Sequence, residues 1–434
     1  MPVDSLERRV VSKVSWRLLP YLFLLYIVAY IDRINVSVAQ LEMTKSLSME
    51  PARFGLAVGM FFIGYFIFEV PSNLILSRVG ARVWIARIMI LWGIITVCMI
   101  FVTGFKSLCG LRILLGTAEA GFFPGILYYM TKWFREKDRA RAISLFMTAG
   151  TLAGVIGNPV SGALLKMDGL AGLRGWQWIF VIEGIPAVLL GISVLALLTE
   201  SPESARWLTD EERAWLAEQL ARERAAKSGP QTTSLLKGLS HPAVWHLTAV
   251  YFLLVCGAYG FEIWLPGIVQ LLTGGSSLRS SILSAIPYVA ATAGMVVWGH
   301  HSDRTGERRW HVALSMFASA AGFVLSAYLK NPVLALAALS LAWVGVKAAQ
   351  APFWSIPPAF LKGPAAAGGI ALINAVANLG GQIGPWVVGL LREATGGFSA
   401  GLLLSAGLLF ASGALALTLR PPSKESEAPA PAAG

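Results

Sequence analysis

The chain has 434 residues, a formal net charge of +11 and only 14% charged residues, against about 25% in ordinary soluble domains. With 56% hydrophobic residues and a mean hydropathy of +0.64, it is not a water-soluble globular protein. The basic excess is spread over many short loops and not gathered in one stripe, which argues against nucleic acid as a partner.

A window of about 20 residues, the length of a transmembrane helix, divides the chain into twelve apolar spans. They fall at 17–39, 54–76, 83–104, 107–131, 139–166, 175–198, 243–272, 279–299, 309–328, 332–360, 367–391 and 398–419. The fold class expected is an all-α membrane protein with twelve transmembrane helices in two six-helix halves. Spans longer than needed are expected to tilt or kink. Charged residues precede the first span and no small-residue cleavage site follows it, so it reads as an anchor.

The first span carries Tyr30-Ile31-Asp32-Arg33-Ile34-Asn35. An ionisable group at membrane depth costs roughly 2.5–3.5 kcal/mol on insertion scales. Such groups survive where they pair, line a wet cavity, or act on ions and substrates. The second span holds Tyr65 and Glu69 and ends in Ser77-Arg78-Val79-Gly80-Ala81-Arg82. In the fourth, Arg112 precedes Glu119 by two turns of about 700° in all, roughly 10 Å along one helix face. Both can face one cavity, with a carboxylate ligand held by the forked guanidinium between them. Arg112 lies near a span end, where snorkelling also accounts for it. The fifth span holds Gly154, Gly157, Pro159 and Gly162, and the sixth holds Glu183.

Six spans are followed by a polar stretch at 199–242, expected to be a cytoplasmic linker. Thr209 and Glu212 have capping-box spacing, so a short helix should start there. The seventh and tenth spans carry Glu262 and Lys347, whose opposite signs make pairing attractive; if Lys347 instead faces a cavity, it favours a dianion or an acidic aromatic. After the eighth span comes Asp303-Arg304-Thr305-Gly306-Glu307-Arg308. Its Arg304, Gly306 and Arg308 repeat Arg78, Gly80 and Arg82 at a constant offset of 226 residues. Such internal repeats are typical of carriers with a midplane site between halves. Gln350, Trp354, Asn374 and Asn378 offer polar lining late in the chain, with helix–helix hydrogen bonding as the alternative. The tail from Pro421 reads as disordered. The expected units are 1–198, 199–242, 243–420 and 421–434.

With the N-terminus inside, 24 of the 35 basic residues fall in cytoplasmic segments and 8 in periplasmic loops. That bias puts both termini in the cytoplasm. Cys98, Cys109 and Cys256 lie in or beside spans, and the histidines at cytoplasmic ends do not cluster, so neither disulfides nor a metal are expected. No Gly-Lys-Ser/Thr phosphate loop is present, so the chain does not drive transport with ATP.

These features resemble the major facilitator superfamily. The loop after the eighth span fits its cytoplasmic signature, whereas the loop after the second has Ser77 at the usual acidic position. The Tyr30–Asn35 run, Arg112 with Glu119-Ala120-Gly121-Phe122-Phe123-Pro124-Gly125, and Gly175-Trp176-Gln177-Trp178 resemble the anion:cation symporters. Gln350-Ala351-Pro352-Phe353-Trp354 and Asn374 through Asn378-Leu379-Gly380-Gly381 resemble bacterial tartrate, phthalate and 4-hydroxyphenylacetate carriers. The resemblance implies a monomeric inner-membrane importer of a small organic anion with protons, without cofactor or enzymatic activity. Asp32 and Glu119 would couple protons, with a permanent ion pair to Arg33 or Arg112 as the alternative. Arg33, Arg112, Tyr30, Tyr65, Gln350, Trp354, Asn374, Asn378 and Lys347 would bind substrate. Arg78, Gly80, Arg82, Asp303, Arg304 and Arg308 would form the gate. Glu69 and Glu183 read as structural. The rivals are a proton-coupled exporter and a non-transporting sensor.

Overall fold

Apolar side chains such as Leu189, Val297 and Val333 are 60%, 67% and 75% exposed on the outside of a helical bundle. Lipid, not water, suits such a surface. The computed structural model describes residues 3–227, 242–357 and 363–419, and every regular element among them is helical. His241, the later part of the expected linker and the expected disordered tail lie outside the described residues.

Six expected spans of the first half become α1 (Val3–Ser46), α2 (Pro51–Val79), α3 (Ala81–Cys98), α4 (Phe105–Glu119) with α5 (Phe122–Thr131), α6 (Glu136–Leu164) and α7 (Gly175–Leu197). The linker contributes α8 (Asp210–Lys227). Then follow α9 (Pro242–Glu262) with α10 (Leu265–Thr273), α11 (Ser277–Thr305), α12 (Arg309–Tyr328), α13 (Pro332–Ala348) with α14 (Gln350–Trp354), α15 (Gly363–Thr395) and α16 (Ser399–Thr418). Eleven membrane-length apolar segments are present among the described residues. The expected eleventh span lies in α15, which is 33 residues long but is not among the eleven. Asn374, Asn378, Gln382 and a run of glycines dilute its hydropathy.

Three expected spans are interrupted. The fourth breaks between Glu119 and Phe122, where Gly121 adopts φ +89. A Cβ there would lie 2.3 Å from Ser72 Oγ, so only glycine fits. Ser72 Oγ donates to the Ala120 carbonyl at 2.6 Å, satisfying a backbone group that the break exposes. The seventh breaks before Leu265-Pro266 and the tenth before Gln350. Glu119, Glu262 and Lys347 each sit in the last turn before such a break.

Helices from the two parts of the chain meet along tight seams. α2 lies against α15, where a Cβ on Gly55 would come within 2.3 Å of the Pro385 carbonyl and one on Gly389 within 2.5 Å of the Pro51 carbonyl. α6 lies against α11, with Gly162 over Ser281. Small residues permit this approach, as in other membrane helix pairs. These contacts concentrate at the end of the bundle that carries the 47–50 and 274–276 turns.

The linker helix α8 docks on the first part of the chain. Thr209 N donates to Glu212 Oε2 at 3.0 Å and Glu212 N to Thr209 Oγ1 at 3.3 Å, the capping box expected from their spacing. The same Glu212 pairs with Lys13 at 2.7 Å and Arg9 at 3.2 Å on α1. Leu216 and Leu220 bury themselves in the core that α1 to α7 build.

Candidate substrate cavity

A cavity of about 130 Å³ lies in the middle of the bundle, roughly ten times the volume one water requires. Its wall draws on α1, α2, α9, α13 and α15 among others. Arg33, Tyr30, Tyr65, Gln350, Trp354, Asn374, Asn378 and Lys347, all expected on substrate grounds, line it.

On the α1 side, Arg33 Nη2 donates to Glu119 Oε1, an ion pair closed across 86 positions of chain. Glu119 is buried behind Arg33 and is not part of the wall. The Arg33 Nε is buried without a hydrogen-bond partner. Its guanidinium lies 5.4 Å from the Phe61 ring centre and 5.7 Å from that of Tyr65, which replaces some lost hydration with ring faces.

A second charged cluster faces it. Glu262 Oε1 accepts from Tyr30 Oη at 2.8 Å and from Tyr288 Oη at 2.9 Å. Lys347 Nζ donates to Tyr30 Oη at 3.0 Å and lies 3.9 Å from Glu262 Oε1. The pairing expected from opposite charge is therefore present, with a tyrosine of α1 inserted between its members. Lys347 also lies 4.4 Å from the Trp343 ring centre.

Asp32 and Arg112 are 1% exposed and stand outside the cavity wall. Asp32 accepts from Thr96 Oγ1 at 2.7 Å and from Asn35 Nδ2 at 3.1 Å. Arg112 Nε donates to the Val58 carbonyl at 3.1 Å, and its guanidinium lies 5.0 Å from the Phe61 ring centre. Phe61 thus takes a cation from the cavity and another from the helix interior. Glu69 accepts from Asn374 Nδ2 at 2.8 Å, tying α2 to α15, and Glu183 accepts from Ser161 Oγ at 2.6 Å. Both acids are held by neutral donors.

The loop residues divide similarly. Arg308 Nη1 donates to Asp303 Oδ1 and to Ser302 Oγ, both at 2.8 Å. Arg304, Arg78 and Arg82 are exposed, and Gly80 takes φ +99 between α2 and α3. An acid from elsewhere in the chain reaches this loop: Glu200 accepts from the amides of Ala81 at 3.0 Å and Arg82 at 2.8 Å and pairs with Lys132 at 2.5 Å. Burial opposes its charge, but Lys132 and the two amides hold the carboxyl below its usual range. Sequence reasoning missed Glu200 because it lies 118 positions from Arg82. It also missed Tyr288, which donates to Glu262, and Tyr259, which lines the cavity, because neither falls in a motif. Among the described residues no group of His, Cys, Asp and Glu is arranged to hold a metal.

Membrane-length helices, three of them broken beside a central cavity, with buried charges contributed from both ends of the chain, define a secondary carrier. The family model described as Major Facilitator Superfamily matches residues 22–368, and the chain belongs to that family. Membership makes it a secondary-active transporter and not an enzyme. The chain is 47% identical to a putative tartrate transporter of Agrobacterium vitis, over 96% of this chain and 92% of the relative. It is 42% identical to a quinolone resistance transporter of Acinetobacter baumannii, over 93% of each chain. The fold matches a crystal structure of a bacterial homologue of the human lysosomal transporter Spinster in an inward-facing, occupied conformation. The TM-score is 0.76 at 18% identity, covering 92% of this chain and 95% of that one.

Proposed function

We propose that the chain imports a small organic anion together with protons across a bacterial inner membrane, acting as a monomer by alternating access. The observation that carries this reading is Arg33, a cavity-wall guanidinium bound to Glu119 whose Nε has no hydrogen-bond partner. A substrate carboxylate and Glu119 compete for the same cation. Protonating Glu119 weakens its hold and frees the fork for the substrate. Likeness to a putative tartrate transporter supports an organic acid as cargo.

In this reading α15 is the eleventh span and brings the total to twelve, and the halves are 1–198 and 243–420, joined by the 199–242 linker. Both termini face the cytoplasm. The seams then close the periplasmic end, and the cavity opens inward. Asp32 is a second proton site, reached through Thr96 and Asn35, and Arg112 sets the potential around it. Tyr65, Gln350, Trp354, Asn374 and Asn378 orient the ligand without adding charge. Arg78, Gly80, Arg82, Asp303, Arg304 and Arg308 form the gate that closes when the cytoplasmic ends meet.

A second reading, proton-coupled export, is favoured by the likeness to a quinolone resistance transporter. Vesicles with an imposed pH gradient separate the two. Symport moves tartrate or galactonate in the direction the protons flow, and exchange moves an exported compound against it. Failure of every organic acid in the set to follow the protons would remove the import reading.

A further inference from the structure

The N-terminal charges Arg33 and Glu119 are explained by a carboxylate that competes for one arginine. Glu262 and Lys347 are not, and they occupy the same cavity. A lysine ammonium has three N–H donors. Lys347 gives one to Tyr30 at 3.0 Å, while Glu262 at 3.9 Å is beyond hydrogen-bond length. Arg33 likewise keeps its Nε unpaired. The cavity therefore has two cations with unused donors, one on α1 and one on α13.

We propose that the cargo is a dianion bridging Arg33 and Lys347, and that Glu262 takes up a proton as it binds, in addition to Glu119. This deepens the import reading above and rests on it. Charge balance supplies the argument. The ion pairs Arg33–Glu119 and Lys347–Glu262 each carry no net charge before the ligand binds. A dianion would leave two uncompensated negative charges at membrane depth, where such charge is costly. Two protons restore neutrality. Glu262 is faced by Tyr30 from α1, Tyr288 from α11 and Lys347 from α13. Once protonated it no longer holds the ammonium, and its hydrogen bonds to the two phenols can persist. Tyr30 spans both states, since its oxygen both accepts from Lys347 and donates to Glu262.

The test is calorimetric, on purified full-length protein in one detergent. The probes are the dicarboxylates tartrate, glucarate and phthalate and the monocarboxylates galactonate and benzoate. Titration in buffers of different ionisation enthalpy counts protons taken up. Wild type should bind a dicarboxylate with two protons per ligand. Lys347→Met should weaken that ligand by about tenfold or more, as expected for losing a charge-assisted contact, and monocarboxylates by less than about twofold. Glu262→Gln should take up one proton fewer. The proposal is overturned if wild type binds monocarboxylates and no dicarboxylate, or if Lys347→Met weakens both classes equally. It is also overturned if Glu262→Gln takes up as many protons as wild type. Should Lys347→Met not fold, Lys347→Gln carries the same comparison. Binding of no acid by wild type would remove the import reading itself, which distinguishes the two failures.

Discussion

The hydroxyl of Tyr30 donates to Glu262 at 2.8 Å. This bond ties α1 to α9 across 232 positions of sequence. It places a neutral, polarisable group between an acid and a base that would otherwise meet directly. Lys347 Nζ and Glu262 Oε1 stand 3.9 Å apart, with the Tyr30 hydroxyl hydrogen-bonded to both.

Coupling between Glu262 and Lys347 should be visible as non-additive stability. Removing one member leaves a buried lone charge, at a cost of about 3–5 kcal/mol, while removing both leaves none. Glu262→Gln and Lys347→Met should each lower the apparent melting temperature, and the double variant should regain much of the loss. Strictly additive losses in this cycle would show that the two do not interact.

Glu119→Gln should abolish proton-driven accumulation and preserve counterflow exchange, because the amide imitates the protonated acid. Arg33 then loses its carboxylate partner but remains in the cavity wall. Uptake against a gradient equal to that of wild type would show that coupling runs elsewhere.

The two arginines beside Phe61 should respond differently to lysine. Arg33→Lys retains charge but loses the forked donor set, and binding of the best acid should weaken about tenfold or more. Arg112→Lys should chiefly lower stability, by about 1–3 kcal/mol, because its bond to the Val58 carbonyl is lost inside the helix bundle. Isothermal titration beside thermal unfolding separates these effects. A larger binding loss in Arg112→Lys than in Arg33→Lys would place the ligand behind Phe61.

Glu212 gives the linker a pH response. Burial opposes its charge, but Lys13, the Thr209 amide and Arg9 more than offset this, so its folded pKa lies below the unfolded value of about 4.3. A depressed carboxyl stabilises the docked helix above the unfolded pKa, and that contribution fades as pH falls through the folded one. Amide protection over α8, corrected for intrinsic exchange, should therefore be full at neutral pH and decline on acidification. Glu212→Gln keeps the capping geometry and should cost about 0.2–1 kcal/mol. Glu212→Ala should cost about 1–2 kcal/mol by losing the cap as well. Acid-insensitive protection in wild type would rule out this role for the pair.

Hydropathy made the spans legible because lipid tolerates little else, and its signal is weakest in the span at 367–391. The helix Gly363–Thr395 is weakly apolar in part because it carries Asn374 and Asn378, which line the cavity. Opposite charge made Glu262 and Lys347 legible as partners, but nothing local announced Tyr30 as the group between them. Helical spacing put Arg112 and Glu119 two turns apart on α4, but neither lines the cavity they were expected to share. It could not show that Glu119 turns to Arg33, because that contact joins two helices across 86 positions of sequence. Asp32 and Arg33 are neighbours in sequence and diverge in space, since adjacent helical positions point about 100° apart. The linker helix was readable from a local capping signal, whereas its anchorage on α1 needed the three-dimensional arrangement.

The glycine seam at Gly55, Gly59 and Gly389 has an electrical consequence. If the cavity opens to the cytoplasm as proposed, the membrane voltage would fall mainly across the seam where α2 and α15 touch backbone to backbone. Each elementary charge driven across that layer exchanges about 2.3 kcal/mol per 100 mV with the field. Cargo that crosses with its charge fully compensated exchanges none, and a carrier built around such a thin insulator would then run on the proton concentration difference alone.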